Sequence, residues 1–329
     1  MEKKQDNLME ISDLTVRYNT DDAVVHAVNN FNLKLVRGEA RGLVGETGAG
    51  KTTLALSILR LLPERVGEVA GGSIVYDGQE LLNLPEAEML PLRGKRISMI
   101  SQDPMTSLNP TQTVGDQILE VLNLHFPEMT RDEKNKRVDE MMTLVGIPPQ
   151  RKKSFPHEFS GGMKQRVVIA MALVAEPELL LADEPTTALD VTIQAQILEL
   201  MKQLREKFNT SVMLITHDLG VVAQFCDSVS VVYAGRVVEY GPVEIVFQRK
   251  ENHPYTAGLF NCIPNLHDDQ PRLHPIAGHM ADPRVEYKGC CFADRCEYAT
   301  ERCRTEAPSM HVCGEHGILC HRYAEKEEF

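Results

Sequence analysis

The chain has 329 residues, 43% of them hydrophobic and 25% charged, enough for one large or two medium globular domains. Its formal net charge of -12 excludes a broad nucleic-acid-binding surface and leaves only local basic patches. No apolar run reaches the ~18–20 residues of a membrane-spanning helix, and the polar start Met1 to Glu10 is no signal peptide; a cytosolic chain is expected, reaching any membrane through a partner.

Short β-like runs open the chain: Met9 to Tyr18, Val24 to Val28 and Asn32 to Val36, closed by Gly38. Ala40 to Val44 is another, and it leads into Gly45-Glu46-Thr47-Gly48-Ala49-Gly50-Lys51-Thr52. That octet fits G-x-x-x-x-G-K-[ST] without a mismatch. An apolar helical run, Thr53 to Leu62, follows. Strand, glycine loop and helix together predict a phosphate site. The glycines let backbone N–H groups converge on phosphate oxygens, and the helix start adds its positive end. Lys51 is expected to reach the β- and γ-phosphates, and the Thr52 hydroxyl to hold Mg²⁺. Gly45 through Thr53 form the expected nucleotide-binding set.

Further along, Ser73 to Tyr76 and Arg96 to Gln102 read as strands, Val114 to His125 and Arg131 to Val145 as helices. Pro148-Pro149 breaks the second helix. Gly161-Gly162 opens another, running through Ala175. Leu179 to Ala182 is a short buried strand that ends in Asp183-Glu184-Pro185. Thr192 to Phe208 carries Ile193, Ile197, Leu200, Met201 and Leu204 on one helical face. Val212 to Thr216, Ser228 to Tyr233 and Arg236 to Tyr240 are the last β-like runs. This alternation predicts an α/β core with a mainly parallel sheet. In such a core Asp183 is placed to bind Mg²⁺ and Glu184 to polarise an attacking water. Beyond about Gln248 periodicity fades, while prolines, histidines and cysteines rise.

Phe159-Ser160-Gly161-Gly162-Met163-Lys164-Gln165 resembles the signature of ABC ATPases, and D-E-P followed by T-T-A-L-D completes their pattern. The resemblance implies a phosphate-loop NTPase core with an antiparallel β subdomain and an inserted helical subdomain. It implies an ATP-binding domain over 1–247, with the helical part at about 103–170 and touching membrane subunits. Ser160, Gly161 and Gly162 would cap the γ-phosphate of ATP held by a partner, and Asp190 matches the aspartate of the following element. Gln102 matches the glutamine that senses Mg²⁺ and water, His217 the histidine at the γ-phosphate, and Tyr18 the aromatic stacked on adenine. Glu184, His217 and Gln102 are thus the expected catalytic residues. ATP binding would close an ATPase dimer and hydrolysis would reset it.

Ser101-Gln102-Asp103-Pro104-Met105-Thr106-Ser107-Leu108-Asn109-Pro110, Met163 in the signature, and His253-Pro254-Tyr255-Thr256 narrow the resemblance. They are similar to the D-type ATPase subunits of dipeptide, oligopeptide and nickel importers. Thr47, Ala49 and Thr52 replace commoner serines and Lys164 a commoner arginine, all chemically tolerable. Such a subunit implies an F-type ATPase partner, two membrane permeases and an extracytoplasmic binding protein, at the cytoplasmic face of the membrane and without nucleic acid. Di- or oligopeptides lead as the transported class; nickel complexes and oligosaccharides use the same subunit type. A soluble ABC ATPase acting on ribosomes or DNA is the rival class.

Six of the eight cysteines crowd the end of the chain: Cys290, Cys291, Cys296, Cys303, Cys313 and Cys320. In a reducing cytosol such a crowd points to a metal rather than to disulfides. Gly289-Cys290-Cys291-Phe292-Ala293-Asp294-Arg295-Cys296, then Cys303 and Cys320, resembles the extension (248–329) of this importer group, some of whose members hold a [4Fe–4S] cluster. Four thiolates suit iron–sulfur or zinc, and the wide spacings favour iron–sulfur. Cys291 is an alternative to Cys290. The tail histidines His267, His274, His279, His311, His316 and His321 lack regular spacing and read as solvated.

Overall fold

The computed structural model describes residues 6–187, 189–248, 250–263 and 275–324. Its strands are β1 (Asn7–Asn19), β2 (Val24–Val36), β3 (Ala40–Val44), β4 (Gly67–Tyr76), β5 (Gln79–Glu80), β6 (Ile97–Ile100), β7 (Leu179–Asp183), β8 (Ser211–Thr216), β9 (Ser228–Tyr233), β10 (Arg236–Pro242), β11 (Met310–Cys313) and β12 (His316–Leu319). The chain divides into two compact units, each drawn from separate stretches of sequence.

One unit is built on Val36–Ala40 and Asn83–Ile215. Its strands β6, β7 and β8 run parallel, with β7 between the other two. Every residue of β7 and β8 is buried. A parallel strand covered on both faces needs an unbroken apolar run, and this is why neither alternates. Thr113 and Thr130 cap the helices Val114–His125 and Arg131–Leu144, the second through a capping box with Glu133. The helices Gly161–Leu173 and Val191–Phe208 complete the layer. Arg96 and Arg37 each place a guanidinium nitrogen 2.7 Å from the Glu178 carboxylate, just ahead of β7. The Arg96 contact foremost holds that carboxyl below its ordinary range.

The other unit holds Asn7–Leu35, Arg41–Leu82 and the described residues from Thr216 onward. An antiparallel sheet in the order β2-β1-β4-β5 lies at its start. The runs Val24 to Val28 and Asn32 to Val36 are one strand, continued through Asn29–Phe31. Elsewhere β3 pairs in parallel with β9. β10 turns back on β9 and β12 on β10, with β11 at the end, all antiparallel. The fold is thus an α/β phosphate-loop core with an antiparallel sheet and helices.

The fading periodicity after Gln248 conceals β11 and β12. Each is four residues long, too short to display a period. What ties this segment down is Glu239 on β10, fully buried at 0% exposure. Its carboxylate accepts from Asn252 Nδ2 at 2.7 Å and the His253 N–H at 2.8 Å, and pairs with His316 Nε2 at 2.8 Å. His316 is therefore buried, and the expectation that it is solvated is corrected; its partner lies on a strand far back in sequence. His279 is exposed, and His311 and His321 are half-buried. His267 and His274 lie outside the described residues.

His253 is buried, and its Nδ1 accepts the Tyr255 N–H at 3.1 Å, which keeps the ring neutral. Burial holds its pKa down from 6.5 to about 3. A depressed imidazole contributes stability that is present above the unfolded value and lost as pH falls below it, because the unfolded ring then takes up a proton first. The thermal midpoint should therefore drop between pH values of about 6.5 and 5. His253→Asn keeps a cap acceptor without a titrating ring, so its drop should be shallower. Identical pH slopes in the two proteins would contradict this account.

Candidate functional site

The phosphate-loop residues follow β3 directly. Gly45 leaves the strand so close to β9 that a Cβ there would sit 2.2 Å from the Val232 carbonyl oxygen. Gly50 has φ +95, and a Cβ on it would meet the Ala27 carbonyl oxygen at 2.1 Å. Both positions thus require glycine, one for approach and one for approach and conformation. Between them Glu46 is half-buried, Thr47 and Gly48 are exposed, and Ala49 is buried. Lys51 is buried; its Nζ donates to the Gly45 carbonyl at 2.7 Å and the Glu46 carbonyl at 3.0 Å, holding the loop closed over its own first residues.

The helix Lys51–Ile58 starts at Gly50 without a side-chain cap and without an acidic residue in its first turn. An uncapped helix start offers its N–H groups and positive end to an anion. Thr52 is exposed on that first turn. Thr53 accepts the Tyr18 hydroxyl at 3.2 Å, so the aromatic from β1 is anchored beside the loop. His217, also in this unit, is exposed immediately after β8. The next residue, Asp218, caps the helix Leu219–Phe225.

The remaining predicted residues belong to the first unit. Asp183 is buried at the C-terminal end of β7. Glu184 follows with φ 48, a left-handed conformation costly for a residue with a Cβ. Its carboxylate Oε2 accepts from Gln102 Nε2 at 2.9 Å and from the Thr187 hydroxyl at 2.9 Å, and its N–H donates to the Ile215 carbonyl at 2.8 Å. Gln102 and Glu184 are thus brought into direct contact. Thr187 was not anticipated as a partner.

Ser160 stands at the start of the helix Gly161–Leu173 and makes no capping bond with its side chain. Ser160 and Gly161 are exposed. A Cβ on Gly162 would lie 2.6 Å from Ile193 Cγ2, so glycine there lets two helices approach. Asp190 caps the facing helix by accepting the Ile193 N–H at 3.0 Å. The signature segment and Asp190 are therefore near neighbours.

Two residues outside the predicted set engage the phosphate loop. The Glu46 N–H donates to the Tyr255 hydroxyl at 2.9 Å. The Glu46 carboxylate accepts from Arg295 Nη1 at 2.7 Å and Nη2 at 3.1 Å. Arg295 and Tyr255 stand in the two C-terminal motifs, and spacing alone attaches neither to a loop some two hundred residues earlier.

Cys290, Cys296, Cys303 and Cys320 line one small cavity together with His253, Phe292 and His321. Burial, then the nearby thiols, pushes Cys290 up to about 12. Burial likewise raises Cys296 and Cys320. Cys291 lies buried apart from this cavity, near the Tyr233 carbonyl. Among the described residues no three His, Cys, Asp or Glu side chains are gathered so as to hold a metal ion.

The chain is similar to known proteins over most of its length. A family described as ABC transporter matches residues 28–187, and one described as the C-terminal region of oligopeptide/dipeptide transporters matches residues 238–303. The oligopeptide transport ATP-binding protein of Haemophilus influenzae is 47% identical over 326 residues, 98% of each chain. Its namesake in Bacillus subtilis is 48% identical over 328 residues, 98% of this chain and 91% of that one. Among solved structures, a dimeric ATP-binding cassette in a post-hydrolysis state bound to ADP and Pi has a TM-score of 0.64 at 27% identity, over 71% of this chain and 98% of that one. An ABC transporter component from Clostridium perfringens has a TM-score of 0.65 at 30% identity, over 75% of this chain and 93% of that one. The chain belongs to the ABC transporter ATP-binding family, in the branch that carries the oligopeptide/dipeptide transporter C-terminal region.

Proposed function

We propose that this chain is the ATP-hydrolysing subunit of a membrane importer for di- and oligopeptides. The observation that carries the proposal is similarity over nearly the full length to oligopeptide transport ATP-binding proteins, including the C-terminal region. The ATP-binding domain spans 1–247, with its helical part at about 103–170, and 248–329 is the extension. No helix among the described residues is long and apolar enough to cross a membrane. The chain acts at the cytoplasmic face, alongside an F-type ATPase with which it forms a heterodimer, two permeases and an extracytoplasmic binding protein.

Phosphoryl transfer demands positioning and charge neutralisation. Gly45 to Thr53 bind the phosphates, Lys51 bringing its charge to the β- and γ-phosphates, and Tyr18 stacks on adenine. The Thr52 hydroxyl, Gln102 and the Asp183 carboxylate fit a magnesium ion as hard oxygen donors and would hold it; when bound it neutralises phosphate charge. Glu184 polarises the attacking water. Support for its role is the strained backbone and the two donors that orient its carboxylate. His217 contacts the γ-phosphate. Ser160, Gly161 and Gly162 offer an uncapped helix start to ATP on the partner ATPase, with Asp190 beside them.

Cys290, Cys296, Cys303 and Cys320 are the residues that would hold a [4Fe–4S] cluster, their thiols drawing closer together than in this structure. Four thiols around one cavity match that group in number and donor chemistry. When bound, the cluster would serve as a structural crosslink of the extension.

Replacing Glu184 with Gln should lower ATP turnover by about a hundredfold or more while ATP still binds. Cells lacking the chain should lose uptake of a labelled tripeptide, restored by wild type and not by Glu184→Gln. Retained peptide uptake with loss of nickel or oligosaccharide uptake would overturn the substrate class. Protein purified without oxygen should contain about four irons and four acid-labile sulfides per chain, reduced in Cys303→Ser. Stoichiometric zinc, or a metal-free protein of unchanged stability, would overturn the cluster.

A further inference from the structure

The Arg295 side chain is 5% exposed and its carboxylate partner Glu46 27% exposed, so the pair is largely withdrawn from water. Arg295 is itself held. Its Nε donates to the Ala277 carbonyl at 3.1 Å, and its guanidinium lies over the rings of Tyr233 and Phe292 at 5.7 and 5.9 Å. Tyr255 packs against the same two rings, with centroids 4.7 and 5.5 Å away. An aromatic box from β9 and the C-terminal extension therefore fixes both groups before they reach the loop.

What they reach is one residue, Glu46, taken at two points. Tyr255 accepts its backbone N–H, and Arg295 receives its carboxylate on both terminal nitrogens. Two-point attachment fixes the peptide plane at Glu46 as well as its side chain. The peptide plane of that N–H carries the Gly45 carbonyl, which accepts Lys51 Nζ at 2.7 Å. A bidentate guanidinium–carboxylate pair supplies direction as well as energy, which a lysine cannot reproduce.

We propose that Arg295 and Tyr255 are positioning residues for the nucleotide site: the C-terminal extension preorganises the phosphate loop through Glu46, and with it sets the affinity for ATP. The proposal rests on the reading that this loop binds ATP. Neither residue touches the reacting atoms, so the effect falls on binding. A loop already ordered spends less of its binding free energy on ordering when the nucleotide arrives.

The test is steady-state ATPase activity and equilibrium binding of a fluorescent ATP analogue, with the full-length protein and its variants. Arg295→Ala should raise KM and the analogue's Kd on the order of tenfold, with kcat changed by less than about threefold. Arg295→Lys should recover only part of the loss. Tyr255→Phe, which removes the acceptor and keeps the ring, should weaken binding in the same direction. In the Glu46→Gln background, adding Arg295→Ala should cost much less than it does in wild type, because the charge and the second acceptor oxygen that Arg295 pairs with are gone. If Arg295→Ala does not fold, the Arg295→Lys and Tyr255→Phe data decide. Unchanged Kd and KM in all folded variants of an active enzyme would overturn the proposal. So would losses in kcat alone, or additive effects at Glu46 and Arg295. Wild-type protein that neither binds nor hydrolyses ATP would instead overturn the ATPase reading.

Discussion

A single buried carboxylate carries much of the second unit. Glu239 sits at 0% exposure on β10, where an unsatisfied charge would cost several kcal/mol. It is tolerated because Asn252, the His253 backbone and His316 converge on it. Those three groups come from both sides of the segment outside the described residues. The interaction therefore fastens the start and the end of the C-terminal extension to one strand. Tyr323 adds a bond from its hydroxyl to the Asn252 carbonyl at 2.8 Å. From that anchorage the chain supplies Tyr255 and Arg295 to the phosphate loop, and the four cysteines to their cavity.

The first unit concentrates its strain where chemistry is expected. β7 is buried throughout, so its direction is fixed by packing. Glu184, one step beyond, is held at φ 48 by a backbone bond to Ile215 and by contacts from Gln102 and Thr187. Surrounding structure has to over-determine such a residue for it to persist. The helix starts tell a similar story by their differences. Thr113, Thr130 and Asp190 close their helices with side-chain acceptors, whereas Gly50 and Ser160 leave theirs without one.

The local features were legible in the sequence because their physics is local. An apolar tetrad followed by Asp183-Glu184 can be read as a buried strand, and Gly45 to Thr52 as a glycine loop between strand and helix, from adjacent residues alone. The helices Val114–His125 and Arg131–Leu144 announce themselves through helical spacing, and the structure adds their threonine caps. What stayed hidden are pairings across long separations: Glu239 with His316, and Glu46 with Arg295. A histidine lacking regular neighbours reads as solvated, yet His316 answers a charge on another strand. β11 and β12 escaped notice because four residues cannot show a period, and they exist as strands by virtue of the β10 edge.

The 249-residue separation of Glu46 and Arg295 also has a meaning in time. A ribosome adds roughly 5–20 residues per second and releases the N-terminal part first. The phosphate loop thus emerges long before its clamp is made, and spends on the order of ten seconds or more without it. During that interval the nascent chain holds a loop with the right residues in an unsecured shape. The Glu46 clamp is among the last things the growing chain acquires, and a message cut short yields a loop held by Lys51 alone, without Tyr255 and Arg295.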